Sequence, residues 1–294
     1  MSDPYAGSYP ASFPDTPTQT RSPRAAQRDR RGIAGGLAAI GLSIAKYGAL
    51  LFKVGKLGPT LISMAISLVL LAQIYGLAFG AGVLLLIAVH ESGHMLFAKY
   101  ERLPVSAPIF LGFFGAVIGL KSPPKDARQE AVVAIGGPVV GSLGALAVYL
   151  LALSMPEGHT RLVLIAIAYF GFFINLFNLV PVVPFDGGRV ASALSVYANI
   201  VGLVIMAALL VFSAAAHLSS PFLFILLILG AYSTYKRFQT ARANPQYLAS
   251  VPRRTRSYIA LAYVAMLALT ALGMGATHAS LVDHNVVSVS DSSQ

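Results

Sequence analysis

The amino-acid sequence predicts an all-α polytopic membrane protein, and three observations carry that prediction. Of its 294 residues, 56% are hydrophobic and only 11% charged, against about 25% charge in an average soluble domain. Mean hydropathy is +0.72. The apolar residues also gather in successive stretches of roughly 17–25, the length of helix that a hydrocarbon layer demands. Composition excludes some chemistry as well. The chain has no cysteine, so neither a disulfide framework nor a thiolate metal site is possible, and any metal ligand must be nitrogen or oxygen. A net charge of +10 is spread between apolar stretches rather than gathered on one soluble domain. That distribution fits membrane orientation and argues against nucleic acid as a partner.

Residues 1–31 hold five prolines and Arg21, Arg24, Arg28, Arg30 and Arg31, with too little apolar surface for a core. They read as a disordered Arg/Pro-rich cytoplasmic tail. Residues 32–57 are apolar but carry Lys46, Lys53 and Lys56 on one side of a helical wheel, which predicts an amphipathic helix lying in the interface. A true crossing over residues 33–52 stays open. Crossings then follow at Pro59–Gly76, Ala81–Tyr100, Glu130–Ser154, Arg161–Val183 and Val190–Ala216. A marginally short sixth runs from Phe222 to about Phe238, and a seventh spans Ile259–Thr277. The count is therefore six or seven. From a cytoplasmic amino terminus, these crossings leave every Lys and Arg except Arg161 on the cytoplasmic side, as the positive-inside rule requires. The basic loop 236–256 reads as a cytoplasmic segment drawn to anionic lipid. Residues 281–294 read as a short outer tail after the helices of 190–280.

Between the second and third crossings, Leu103–Lys121 is too rich in Pro and Gly to span and too apolar for a solvated loop. It predicts a re-entrant β-hairpin turning near Gly112–Gly115. Such backbone survives at membrane depth only when buried in protein or lining a wet cavity. An ordinary interfacial loop is the alternative.

One five-residue run carries the chemistry. His90-Glu91-Ser92-Gly93-His94 lies inside the second crossing, where an ionisable side chain costs roughly 2.5–3.5 kcal/mol of insertion free energy even on the mildest scale. Four residues apart on a helix, the two imidazoles share a face and can hold one ion, with Glu91 beside them as a base rather than a ligand. Catalytic zinc takes three protein ligands and keeps a position for water. Of the eleven acidic residues, only Glu91 and Asp186 fall inside apolar crossings. Asp186 stands at the same membrane depth as the histidines, past the helix-breaking Pro181 and Pro184, and is the natural third ligand. A helix-capping aspartate before Gly-Gly would look similar.

These residues carry a resemblance. HExxH in the second crossing, Gly136-Gly137-Pro138 in the third, and Asn178-x-x-Pro-x-x-Pro-x-Asp186-Gly187-Gly188 closing the fourth resemble the site-2 protease family of intramembrane zinc metalloproteases. The likeness covers roughly Pro59–Arg189, so residues 58–189 read as the metalloprotease membrane core. It implies one Zn2+ held by His90, His94 and Asp186, with Glu91 as general base, cleaving a membrane-protein substrate in or near its transmembrane segment. It also implies that Asn178 positions the substrate or its oxyanion, and that a membrane-embedded β element lies between the second and third crossings. The chain departs from the pattern at Gly141, where members often carry Asn, and it has no room for a PDZ insertion and no sign of a CBS pair. Other classes remain to be separated: a divalent-metal transporter, which would be expected to show internal repeats, and a non-catalytic membrane scaffold. Asn175 reads at least as readily as an interhelical hydrogen-bonding residue as a substrate contact.

Overall fold

The computed structural model describes residues 57–112, 115–215 and 221–291. The expected tail and amphipathic helix of residues 1–56 lie outside them. Two apolar helices open the described chain, α1 (Gly58–Tyr75) and α2 (Leu77–Tyr100), joined at Gly76. A short antiparallel hairpin follows, with β1 (Ile109–Phe110) paired to β2 (Ala116–Val117) in the register Ile109 to Val117 and Phe110 to Ala116. An isolated bridge between Val105 and Leu120 extends the pairing. Gly112 and Gly115 take φ of 67° and 88°, a left-handed backbone that glycine adopts without steric cost. The expected hairpin is thus present where the Pro/Gly pattern put it.

The hairpin is fastened on one side only. Thr60, Ser63 and Ser67 lie on one face of α1. Thr60 donates to the Pro108 carbonyl at 2.7 Å, Ser63 accepts from Phe110 N–H at 3.1 Å, and Ser67 accepts from Gly112 N–H at 2.8 Å. These hydroxyls satisfy the outer edge of β1. Leu71, Val83, Leu84, Ile87 and Phe110 pack into one cluster behind them.

The next elements are α3 (Ala127–Leu153), α4 (His159–Asn178), α5 (Asp186–Leu194), α6 (Ala198–Ala215), α7 (Pro221–Ala243), α8 (Gln246–Ala249) and α9 (Arg253–Asp291). Asp126 caps α3, accepting from Gln129 N–H at 2.7 Å. Among lipid tails the hydrophobic effect does not drive helices together, so close approach through small residues does. A Cβ on Gly93 would lie 2.2 Å from the Gly136 carbonyl oxygen, which brings α2 and α3 nearly backbone to backbone. Ala134, Leu179, Val190, Tyr263 and Met266 then join α3, α5 and α9 around the segment between α4 and α5.

Three differences from the sequence reading have local causes. The fifth crossing does not start at Val190: Ser195 is extended (φ −163°) and ends the short helix α5, and the crossing begins at Ala198. Asn199 donates to Ser192 at 2.7 Å and holds the two helices together across that break. The expected sixth crossing is the apolar part of α7, whose polar last third, with Lys236 and Arg237, comes back to Glu130 at the start of α3. The six helices long and apolar enough to cross, among the described residues, are α1, α2, α3, α4, α6 and α9. Finally, α9 runs on to Asp291, so the stretch from residue 281 begins as helix rather than tail.

Candidate metal centre

One turn of α2 brings the His90 and His94 rings together edge to face, centroids 4.8 Å apart. Asp186 reaches them because α4 ends at Asn178 and the chain turns through Pro181 and Pro184 before restarting at Asp186 as the first residue of α5. Gly187 and Gly188 permit that turn. A Cβ on either would lie 2.1 Å from backbone of Leu179 or Val182. Tyr263 of α9 donates to the Leu179 carbonyl at 2.5 Å and pins the same segment.

Three atoms converge as a result. His90 Nε2 and His94 Nε2 are 3.1 Å apart, and Asp186 Oδ2 lies 3.2 and 3.1 Å from them. Ligand atoms about 2.0 Å from a tetrahedral zinc would be separated by about 3.3 Å, so the triangle has the dimensions of such a seat. The outer ring nitrogens support the fit. His90 Nδ1 faces Asn175 Oδ1 at 2.8 Å and His94 Nδ1 faces the Val133 carbonyl at 2.9 Å. Both partners are acceptors, so each Nδ1 carries the proton and each Nε2 is left with a lone pair aimed at the other two atoms. A cation bound among the three atoms would relieve that crowding of lone pairs. Room for it exists because residue 137 is glycine: a Cβ there would lie 2.3 Å from His94 Nε2 and 2.7 Å from His90 Nε2.

Glu91 is buried beside the pair, its carboxylate within 4.8 Å of both imidazole ligand atoms. A cavity of about 200 Å³ opens over the group, walled by β2 and its continuation (Ala116, Val117, Ile118), by Asn178 and by Arg189. Asn178 therefore borders the cavity. Its Nδ2 donates to the Ile174 carbonyl at 3.1 Å, which leaves a second N–H on the same nitrogen.

Two features go further than the sequence reading, the first of them at Asn175, which reads there as an interhelical hydrogen-bonding residue. Asn175 is the hydrogen-bond partner of His90, and its Nδ2 donates to the Gly171 carbonyl at 2.7 Å, which turns the amide oxygen toward the ring. Gly141 makes the space, since a Cβ there would lie 2.4 Å from Asn175 Oδ1. The departure from the family pattern at 141 thus coincides with the placement of Asn175. Replacing Asn175 with Leu is expected to weaken zinc binding by about 10–100-fold, measured by chelator competition, whereas Asn175→Asp keeps the acceptor and most of the affinity. Unchanged affinity in Asn175→Leu would show that His90 needs no outer partner.

The second feature is ionic. Glu130 in the first turn of α3 is buried and accepts from both Arg237 guanidinium nitrogens, at 3.2 and 2.6 Å, and from the Tyr247 hydroxyl at 2.8 Å. Arg189 bridges Glu130 at 3.5 Å and Asp186 at 4.0 Å. Burial pushes the Tyr247 phenol well above its usual range, and the Glu130 carboxylate adds to the shift, so Tyr247 remains a donor. Here the lipid reading of the basic run 236–256 fails for Arg237, which turns inward to Glu130 instead of outward to headgroups. Nothing in the local sequence marks this pairing, because the partners are 107 residues apart.

Comparison with known proteins follows the same residues. Residues 78–159 match the model of peptidase family M50. The proposed zinc metalloprotease Rip3 of Mycobacterium tuberculosis is 28% identical over 129 residues, covering 42% of this chain and 33% of that protein. The proposed zinc metalloprotease sll0528 of a Synechocystis species is 30% identical over 111 residues, covering 37% of this chain and 28% of that protein. The chain thus aligns with a third or less of the length of these relatives.

Proposed function

We propose that this chain, a member of the site-2 protease family of zinc metallopeptidases, hydrolyses a peptide bond in or beside the transmembrane segment of another membrane protein. The observation that carries the reading is the convergence, within 3.2 Å, of His90 Nε2 and His94 Nε2 from a lipid-length helix with Asp186 Oδ2 from the start of α5. Bound at these atoms, zinc supplies Lewis acidity and a water acidic enough to ionise near neutral pH.

The rest of the chemistry belongs to the chain. Glu91, which stands beside the seat without occupying it, would take a proton from the attacking water and pass it to the leaving amine. Asn178 offers its free N–H to the scissile carbonyl as charge develops there. The substrate must be unwound to reach the cavity, and β2 is suited to receive it: its own free edge lies along the cavity while α1 occupies the edge of β1, so an extended segment can add there as a further strand. By the distribution of Lys and Arg, the amino terminus and the site face the cytoplasm of a cell membrane.

The test is to reconstitute the protein in lipid with solubilised membrane proteins and sequence the new amino termini that appear. Termini within or flanking apolar segments are expected with zinc present, lost on chelation and restored by zinc. Failure to generate termini, together with zinc-dependent metal flux into sealed vesicles, would replace the protease with a divalent-metal carrier.

A further inference from the structure

The end of α2 holds a residue in the wrong place for helix energetics. Arg102 has φ 57°, and two hydrogen bonds, Arg102 N–H to Lys99 O at 3.1 Å and Leu103 N–H to Ala98 O at 2.8 Å, make this a helix-terminating motif in which glycine is the favoured occupant. A bulky side chain there is strained, and strain of this kind persists where the side chain has another use. Arg102 is exposed, as is Lys99 one turn back. Neither has an ion-pair partner among the described residues. The adjacent acid, Glu101, is already engaged by both terminal nitrogens of Arg128, at 3.1 and 2.9 Å, and so cannot neutralise Arg102.

Both cations stand at the mouth of an open groove of about 850 Å³, whose apolar floor is Met95, Leu96, Leu103 and Pro104. The groove lies on the exposed face of a helix long and apolar enough to cross, and its cationic end coincides with the end of that helix, where a span of this length meets the headgroups. An apolar trough closed at the membrane surface by two unneutralised cations is complementary to one amphiphile. We propose that this groove binds an anionic phospholipid, an acyl chain lying against Met95 and Leu96 and the phosphate taken by Arg102 and Lys99. Arg102 suits the phosphate because its planar guanidinium can make paired hydrogen bonds to two oxygens, while Lys99 adds a second charge. Val105 walls both this groove and the cavity over the metal seat, so the bound lipid buttresses the strand that leads into the hairpin.

Binding is read directly, independently of any proteolysis. Purified protein exchanged into micelles doped with phosphatidylglycerol or phosphatidylcholine is examined by native mass spectrometry for retained lipid, with inorganic phosphate added as competitor in a separate arm. Wild type is expected to retain one phosphatidylglycerol in preference to phosphatidylcholine, and free phosphate is expected not to displace it. Arg102→Gly should weaken retention about fivefold and the Lys99→Gln, Arg102→Gly pair about 25-fold, at the usual contribution of one surface cation to anionic-lipid binding. Arg102→Lys should retain most of it. Because glycine relieves the backbone, Arg102→Gly should melt no lower than wild type, so weaker binding cannot be attributed to unfolding. Equal retention of the two lipids, wild-type retention by the double variant, or ready displacement by inorganic phosphate would each overturn the proposal. So would a photoreactive residue at position 96 that crosslinks to polypeptide instead of lipid.

Discussion

Gly137→Ala is expected to remove zinc from the protein while leaving it folded. The added Cβ would lie 2.3 Å from His94 Nε2 and 2.7 Å from His90 Nε2, far inside van der Waals contact. Rings with freedom to swing could avoid it, but these are tied at their other nitrogens to Val133 and Asn175. Moving either ring breaks a buried hydrogen bond and opens the triangle with Asp186. The helix itself gains, since alanine favours a helix interior over glycine by about 0.8–1 kcal/mol. Metal analysis of the purified variant should therefore show little or no bound zinc, and reconstituted cleavage should be absent, with a far-ultraviolet spectrum like that of wild type. Stoichiometric zinc at wild-type affinity in this variant would mean that the seat lies elsewhere.

Glu91→Gln is expected to separate binding from turnover. The amide has nearly the volume of the carboxylate and occupies the same buried position on α2, so the triangle of His90, His94 and Asp186 is undisturbed. It cannot accept a proton from water or return one to an amine. Turnover should fall by roughly 10²–10⁴, the usual contribution of a general acid–base group, with zinc content unchanged. Quantifying new amino termini alongside metal content in the two proteins checks both halves. Equal cleavage by Glu91→Gln would assign proton transfer to another group, and loss of zinc would make Glu91 part of the seat.

The parts of this site that could be read from sequence are those whose residue type is costly where it stands. Two imidazoles and a carboxylate in an apolar run are conspicuous because lipid penalises them, and Asp186 stood out against the same background. The hairpin announced itself through prolines and glycines in a stretch too apolar to be solvated. Asn175 was noticed but not assigned, since a polar amide in a crossing has many possible partners and only the tertiary fold selects His90. Gly137 stood out only as part of the Gly-Gly-Pro run, with no role to separate it from glycines that allow helices to approach. Its role becomes visible only when a Cβ is built against the rings. Glu130 was set aside as lying at the end of a crossing, and its pairing with Arg237 and Tyr247 depends on how α7 and α8 return to α3. The break at Ser195 was hidden for a related reason: apolar residues continue through it, and the interruption is made by backbone and by the Asn199–Ser192 bond.

The row of hydroxyls on α1 has an implication for stoichiometry. A two-stranded ribbon ordinarily has two vacant margins and could recruit a strand on each, or nucleate stacking with neighbouring molecules. Here one margin is permanently consumed by Thr60, Ser63 and Ser67. What remains is a single berth, able to take one chain per molecule and unable to seed a growing sheet.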